Sequence, residues 1–474
     1  MLKRKMTQTL ESWHNNQLFN RDTTHKALII DGARQTGKTY LIRCFAQDRY
    51  HDVVEINFFE QSDAATLIEQ CKSAQEIIAV LSLLVGHEIQ PRNTLVFFDE
   101  IQEAPQLITH VKFLVEDGRF DLILSGSLLG VQIKHIASFP VGYAQIEHMY
   151  PLDFEEFCWS QGVTENLLDV VREAYRNKTP LPDNLHDQFV RLYRLYQIVG
   201  GMPEVVQKYL DTKYDLGAVR ALQESIVEQY RFDASKYSEE RSLQIRSIFD
   251  ALPAELAKEN KRFQLKALKQ KAVFDRYAND FAWLVGAGVA YKCNCVNEPV
   301  FPLQRTEDRR KFKLYSSDTG LLLAQYPVGV SLNLLEGSRS VNFGAIYENA
   351  VAQELACKNV PLRYYHNNRR GEVDFIVETD EGAVVPLEVK SGKDYKRHVA
   401  LTNLLREESF DIQEALVLSE ANISATQKGS KPIYYLPLYM TFCIANQVTK
   451  RSTDSHAQSL LSAVDGTPPS ITRP

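Results

Sequence analysis

No stretch of the 474 residues is apolar for long enough to cross a membrane. The basic start Met1-Leu2-Lys3-Arg4-Lys5 is not followed by an apolar run of signal length. These absences point to a cytoplasmic protein with no membrane partner. Cysteine is sparse, and the seven residues at 44, 71, 158, 293, 295, 357 and 443 are scattered and odd in number, which suits a reducing compartment better than a disulfide framework. The one close pair, Cys293-Asn294-Cys295, has no second pair or nearby histidines to complete a tetrahedral site and reads as strand. Strong charge is missing as well: a net charge of −6 gives no global attraction for nucleic acid, so any such contact must come from local basic patches. No internal repeat of solenoid period stands out. What is present is ordinary globular composition, 44% hydrophobic and 24% charged, over a length that calls for about three or four folded units.

The chain is arranged around Lys26-Ala27-Leu28-Ile29-Ile30-Asp31, an apolar run, followed by Gly32-Ala33-Arg34-Gln35-Thr36-Gly37-Lys38-Thr39 and an amphipathic stretch from Tyr40. This is G-x-x-x-x-G-K-T with a strand entering and a helix leaving. Gly32 and Gly37 let the backbone N–H groups of the loop turn inward on phosphate oxygens, and the helix N-terminus adds to that field. Lys38 is placed to reach the terminal phosphates of ATP, and the Thr39 hydroxyl to ligate Mg2+. Downstream, Thr94-Leu95-Val96-Phe97-Phe98-Asp99-Glu100 is a buried strand with an acidic pair at its carboxyl end. Asp99 is expected to hold the magnesium ion through water and Glu100 to polarise the attacking water. A further strand, Leu122-Ile123-Leu124-Ser125, leads to Gly126-Ser127, where Ser127 is placed to sense the γ-phosphate. With Asp52-Val53-Val54-Glu55-Ile56-Asn57-Phe58-Phe59, these segments predict a parallel sheet covered by helices. A helix around Leu10, Trp13 and Leu18 is expected to pack against it.

These segments resemble the AAA+ core, and Phe97-Phe98-Asp99-Glu100-Ile101-Gln102-Glu103 with Ser125-Gly126-Ser127 resembles one branch of it: single-chain bacterial and archaeal ATPases carrying a restriction-endonuclease-like carboxyl-terminal domain. Tyr150-Pro151-Leu152-Asp153-Phe154-Glu155-Glu156-Phe157 and Val199-Gly200-Gly201-Met202-Pro203-Glu204-Val205-Val206 are similar to the family's helical lid over the nucleotide. One departure stands out. Relatives carry an arginine shortly before the Pro-Leu motif where this chain reads Pro140-Val141-Gly142-Tyr143, which leaves only Arg119 and Arg231 as candidate arginine fingers. Gln229-Tyr230-Arg231-Phe232-Asp233-Ala234-Ser235-Lys236-Tyr237 matches the family's linker into a middle domain. There, Lys258, Lys261, Arg262, Lys266, Lys269 and Lys271 crowd one stretch, and a helix through Trp283 leads to strand-like Val289-Ala290-Tyr291-Lys292-Cys293. The order is that of a winged helix, with Arg305-Thr306-Glu307-Asp308-Arg309-Arg310-Lys311 as a basic tip. Such a module grips DNA phosphates; a solvated basic face explains the same residues equally well.

A second constellation begins in a helix from Gly344, where Glu348 shares a stripe with Val351, Ala352 and Leu355. Asp374 follows in Glu372-Val373-Asp374-Phe375-Ile376-Val377, and after the turn Asp380-Glu381-Gly382 comes Val384-Val385-Pro386-Leu387-Glu388-Val389-Lys390. Alternation puts Glu388 and Lys390 on one strand face. Asp374 and Glu388 on adjacent strands could share Mg2+ or Mn2+, with Lys390 steadying developing negative charge and Glu348 in the outer shell. This resembles the PD-(D/E)xK pattern of restriction-like nucleases, whose fold also serves in inactive binders.

The expected organisation is α/β: an AAA+ nucleotide-binding core over 1–150, a helical lid over 151–215, a winged-helix-like domain over 216–335, a restriction-endonuclease-like domain over 336–448, and a disordered polar tail over 449–474. The expected function is ATP binding and hydrolysis coupled to a nuclease-like domain acting on DNA. The alternative is an ATP-dependent binding switch whose carboxyl-terminal domain is silent and recognises a nucleic acid or protein.

Overall fold

The computed structural model describes residues 2–19, 25–127, 140, 142–236, 241–270, 273–338, 342–379, 381–429 and 431–444. Val141, Tyr237, Lys271, Asp380 and the tail over 449–474, which enter the expectations above, lie outside the described residues. No helix among the described residues is long and apolar enough to cross a membrane. The chain divides into two compact units: Met1–Leu152, Gly200–Phe249 and Ala272–Ala290 form the first, and Asp153–Val199, Asp250–Lys271 and Tyr291–Pro474 the second.

In the first unit, the mostly apolar strands β1 (Ala27–Asp31), β3 (Thr94–Asp99) and β4 (Asp121–Gly126) run parallel with β2 (Asp52–Asn57) and β5 (Ala144–His148). Their spatial order is β2-β3-β4-β1-β5. Alternating side chains feed two cores. Ala27, Ile29, Val54, Phe98 and Leu122 pack on one face, and Leu28, Ile30, Leu95, Phe97 and Ile123 on the other. The second core also takes Leu10 and Trp13 from the helix Met6–Phe19, while Leu18, expected beside them, points to solvent at 56% exposure. β5 was not expected: Gln145, Glu147 and His148 give it no apolar run, and its pairing with β1 creates the strand. The stretch 229–236, expected as a linker, is the carboxyl end of a helix, Leu216–Lys236.

The second unit holds two sheets. One has the order β7-β6-β8-β9, from β6 (Ala290–Val296), β7 (Glu307–Ser316), β8 (Arg363–Asn367) and β9 (Gly371–Val373). The other, ordered β10-β11-β12-β14-β13, comprises β10 (Phe375–Glu378), β11 (Val384–Val389), β12 (Ala415–Ser419), β13 (Ser424–Lys428) and β14 (Lys431–Pro437). Two expectations change here. β6 and β7 do not close a separate module, because β6 pairs in parallel with β8 through Asn294 and Arg363. The basic tip over 305–311 is a short 3-10 turn followed by strand, held where Glu307 accepts hydrogen bonds from Asn294 at 2.9 Å and Arg363 at 3.1 Å.

The segment expected as a lid is divided between the units. Its 153–199 part docks on the buried helix Gly344–Ala356, where Glu354 accepts the Phe154 N–H at 2.7 Å and Gln353 donates to the Tyr196 hydroxyl at 2.9 Å. Each is a buried polar group that needs its partner.

Candidate functional site

The carboxyl ends of β1, β3 and β4 bring the expected nucleotide residues together. Gly32 has φ of +142°, and a Cβ there would lie 2.3 Å from the Met149 carbonyl oxygen, so only glycine fits the turn. Lys38 is buried at the start of the helix Lys38–Arg49, and its Nζ donates to the carbonyls of Gly32 at 2.9 Å and Ala33 at 2.8 Å. Burial pushes this ammonium down to about 8, against the pull of Glu100, Asp31 and Asp99. The Thr39 hydroxyl contacts both Asp99 oxygens, at 3.1 and 3.0 Å, and Asp99 also accepts from Ser125 and from Asn57 at 3.3 Å.

Glu100 sits in the left-handed region with φ of 54°, which turns its carboxylate back toward Gln102. Gln102 in turn accepts the Ser127 N–H at 3.2 Å, so one amide links the end of β3 to the end of β4. Arg34 lies 3.4 Å from the Ser127 hydroxyl and pairs with Asp233, and its carbonyl accepts from the Tyr230 hydroxyl at 3.1 Å. The helix Leu216–Lys236 is thereby tied to the loop over 32–39. Of the two candidate fingers, Arg119 pairs with Asp117 at 2.6 Å and Arg231 with Glu228; both partners are near neighbours in sequence. Beside the loop lies a cavity of about 1200 Å³, lined among others by Leu2, Arg4, Tyr40, Met149, Pro203 and Leu222.

Sequence reasoning passed over three of these groups. Arg4 is buried and donates to the carbonyls of Thr36 at 3.0 Å and Tyr150 at 2.6 Å. Asn57 ends β2 beside Asp99, and Gln102 stands two residues after Glu100. A polar residue at the carboxyl end of β2 was the available signal for Asn57. Nothing local marks Arg4.

Residues 24–158 match the family profile described as "AAA domain". Residues 190–332 and 343–439 match two profiles, each described as a domain of unknown function (DUF8612 and DUF4143). No curated protein matches the chain. Among solved structures, the Walker-type ATPase PabY2304 of Pyrococcus abyssi is 13% identical, over 69% of this chain and 96% of that one, with a TM-score of 0.41. The Aeropyrum pernix Orc1 protein in complex with DNA is 10% identical, over 71% and 93%, with a TM-score of 0.31. The Thermotoga maritima RuvB Holliday junction branch migration motor is 12% identical, over 61% and 89%, with a TM-score of 0.27.

The second unit gathers the other expected residues. Phe375 faces Leu387 across β10 and β11, so Asp374 and Glu388 flank the same pair. Asp374 accepts the Val389 N–H at 2.9 Å, and Lys390 donates to Glu388 at 2.7 Å. The other Glu388 oxygen is buried without a hydrogen-bond partner. Burial and the nearby Asp374 charge push Glu388 up to about 8, against Lys390. Asp374 moves down instead, because Lys313 and Lys261 outweigh its burial. Glu348 is buried, pairs with Lys261 and accepts from the Tyr315 hydroxyl at 3.2 Å. Lys261 and Lys258, which pairs with Glu255, therefore meet buried carboxylates, while Lys266 and Lys269 stay exposed.

Proposed function

We propose that this chain binds ATP with Mg2+ at the loop over 32–39 and hydrolyses it, and that the second unit acts on DNA through the Asp374, Glu388 and Lys390 group. The observation that carries the first part is the contact of Thr39 with Asp99 beside the buried Lys38. A hydroxyl and a carboxylate in that arrangement are hard oxygen donors that suit a magnesium ion, so Thr39 and Asp99 would hold it. The ion supplies charge neutralisation between the phosphates.

Lys38 exchanges the Gly32 and Ala33 carbonyls for phosphate oxygens, which are better acceptors for a buried ammonium. Glu100 takes the proton of the attacking water, held in position by Gln102. Ser127 reads the γ-phosphate, and Arg34, beside it, passes its state to Asp233 and Tyr230 on the helix Leu216–Lys236. The base and ribose occupy the cavity lined by Leu2, Arg4 and Pro203.

In the second unit, the partnerless Glu388 oxygen beside Asp374 fits a divalent cation, and Lys390 would steady charge on a phosphate. The reading as a silent binding switch has the ammonium partners of these carboxylates in its favour. One set of reactions separates the two. Purified protein is incubated with plasmid and linear DNA plus Mg2+ or Mn2+, with and without ATP, alongside Glu388→Ala and Lys390→Ala. Cleavage by wild type and its loss in both variants supports the nuclease; equal background from all three overturns it. ATP turnover, with Lys38→Ala and Glu100→Gln as controls, tests the first site. Undiminished turnover in those variants overturns the assignment.

A further inference from the structure

The carboxylate cluster contains a residue that no motif accounts for. Lys313 on β7 is an ionisable side chain with no solvent exposure. Its Nζ lies 2.8 Å from Glu372, 3.5 Å from Glu348 and 3.5 Å from Asp374, so each of its three N–H donors has a carboxylate to face. The Tyr364 ring lies 5.1 Å from the same ammonium. Tyr315, two residues on along the strand, donates to Glu348 and fixes the carboxylate from the same face. A buried ammonium with three anionic partners has nowhere better to go.

With all four carboxyl groups of the cluster ionised (Glu348, Glu372, Asp374, Glu388) against three ammonium groups (Lys261, Lys313, Lys390), one negative charge is left over. A pair of divalent ions about 3.5–4 Å apart, as two-metal phosphodiesterases use, needs far more negative charge than that. The acceptor still open is the Glu388 oxygen, which is buried and has no hydrogen-bond partner.

We propose that Lys313 is the built-in counter-cation of this cluster, holding Glu348 and Glu372 where a second divalent ion would otherwise sit, so that the site accepts a single divalent ion, at Asp374 and Glu388. This rests on the reading of Asp374 and Glu388 as a cation site. It makes Lys313 a positioning residue: it sets the number of ions without touching the phosphate.

The test counts bound Mn2+ on the full chain, by loss of the free-ion signal in electron paramagnetic resonance and by calorimetry. An Asp99→Asn background keeps the nucleotide site out of the count. That chain is expected to bind one Mn2+. Adding Lys313→Met raises the count to two, with the exchange-coupled signal of a close ion pair; adding Glu348→Gln as well returns it to one. Lys313→Gln, which keeps hydrogen-bond donors beside the carboxylates, serves as the second variant should the methionine disturb folding, and gives the same count. One ion retained in both Lys313 variants, or two ions already present before them, overturns the proposal. Failure of the underlying reading looks different: Glu388→Gln would leave Mn2+ binding unchanged, or the Asp99→Asn chain would bind none.

Discussion

Lys38 shows how burial tunes an ammonium at the proposed nucleotide site. In the ligand-free chain its ammonium is held at about 8 by desolvation, below the ordinary value of 10.5. Between those values the unfolded chain binds more protons than the folded one, so ligand-free stability rises with pH across that window. Nucleotide affinity has the opposite sign, because the phosphates need the ammonium. It is full below about pH 8 and should fall roughly tenfold from pH 7 to 9, read by titration calorimetry, with Lys38→Arg flattening the profile. Gln102 acts one step further back. Gln102→Ala leaves Glu100 and the Ser127 N–H without their shared partner, so turnover should drop about ten- to a hundredfold while nucleotide affinity moves less than about threefold. A comparable loss in affinity would mean that Gln102 supports the loop and not the base. Lys38 and Glu100 were legible because motif spacing names them; Asn57 and Gln102 were not, because their role is contact across strands.

At the scale of elements, close backbone approach fixes how loops meet the sheet. A Cβ on Gly201 would lie 2.1 Å from the Leu152 carbonyl oxygen, and the Leu152 N–H donates to the Gly201 carbonyl at 2.7 Å. Gly201→Ala should therefore destabilise the first unit by about 1–3 kcal/mol, measured by denaturant unfolding; no loss would mean that the loop moves away freely. The helix Leu216–Lys236 illustrates what periodicity misses. Its Tyr230 and Asp233 contacts to Arg34 turn a segment expected as a connection into a strut on the phosphate loop. β5 was invisible for the converse reason, since an edge strand with Gln145 and Glu147 gains its structure from β1 alone.

At the scale of the whole molecule, each unit draws on three separate stretches of sequence. A chain cut to 336–448, the expected carboxyl-terminal domain, lacks the residues that satisfy Gln353, Glu354 and the Tyr439 hydroxyl, which takes its hydrogen bond with His186 at 2.9 Å. That fragment should show no cooperative unfolding transition by circular dichroism, whereas the full chain should. Saturating ATP at about 100 times its dissociation constant should add about 2.7 kcal/mol to the first unit's stability. The sequence by itself determined the G-x-x-x-x-G-K-T loop between strand and helix, the acidic pair after β3, the parallel strands β1 to β4 around them and the order of the carboxylates in the second unit, because each depends on neighbours within a few residues. Only the tertiary structure decided which helices belong to which unit, that Lys261 of the basic stretch pairs with the buried Glu348, and that Lys313 sits among Glu348, Glu372 and Asp374. Those outcomes depend on desolvation and pairing between residues far apart in the chain, which no local pattern encodes.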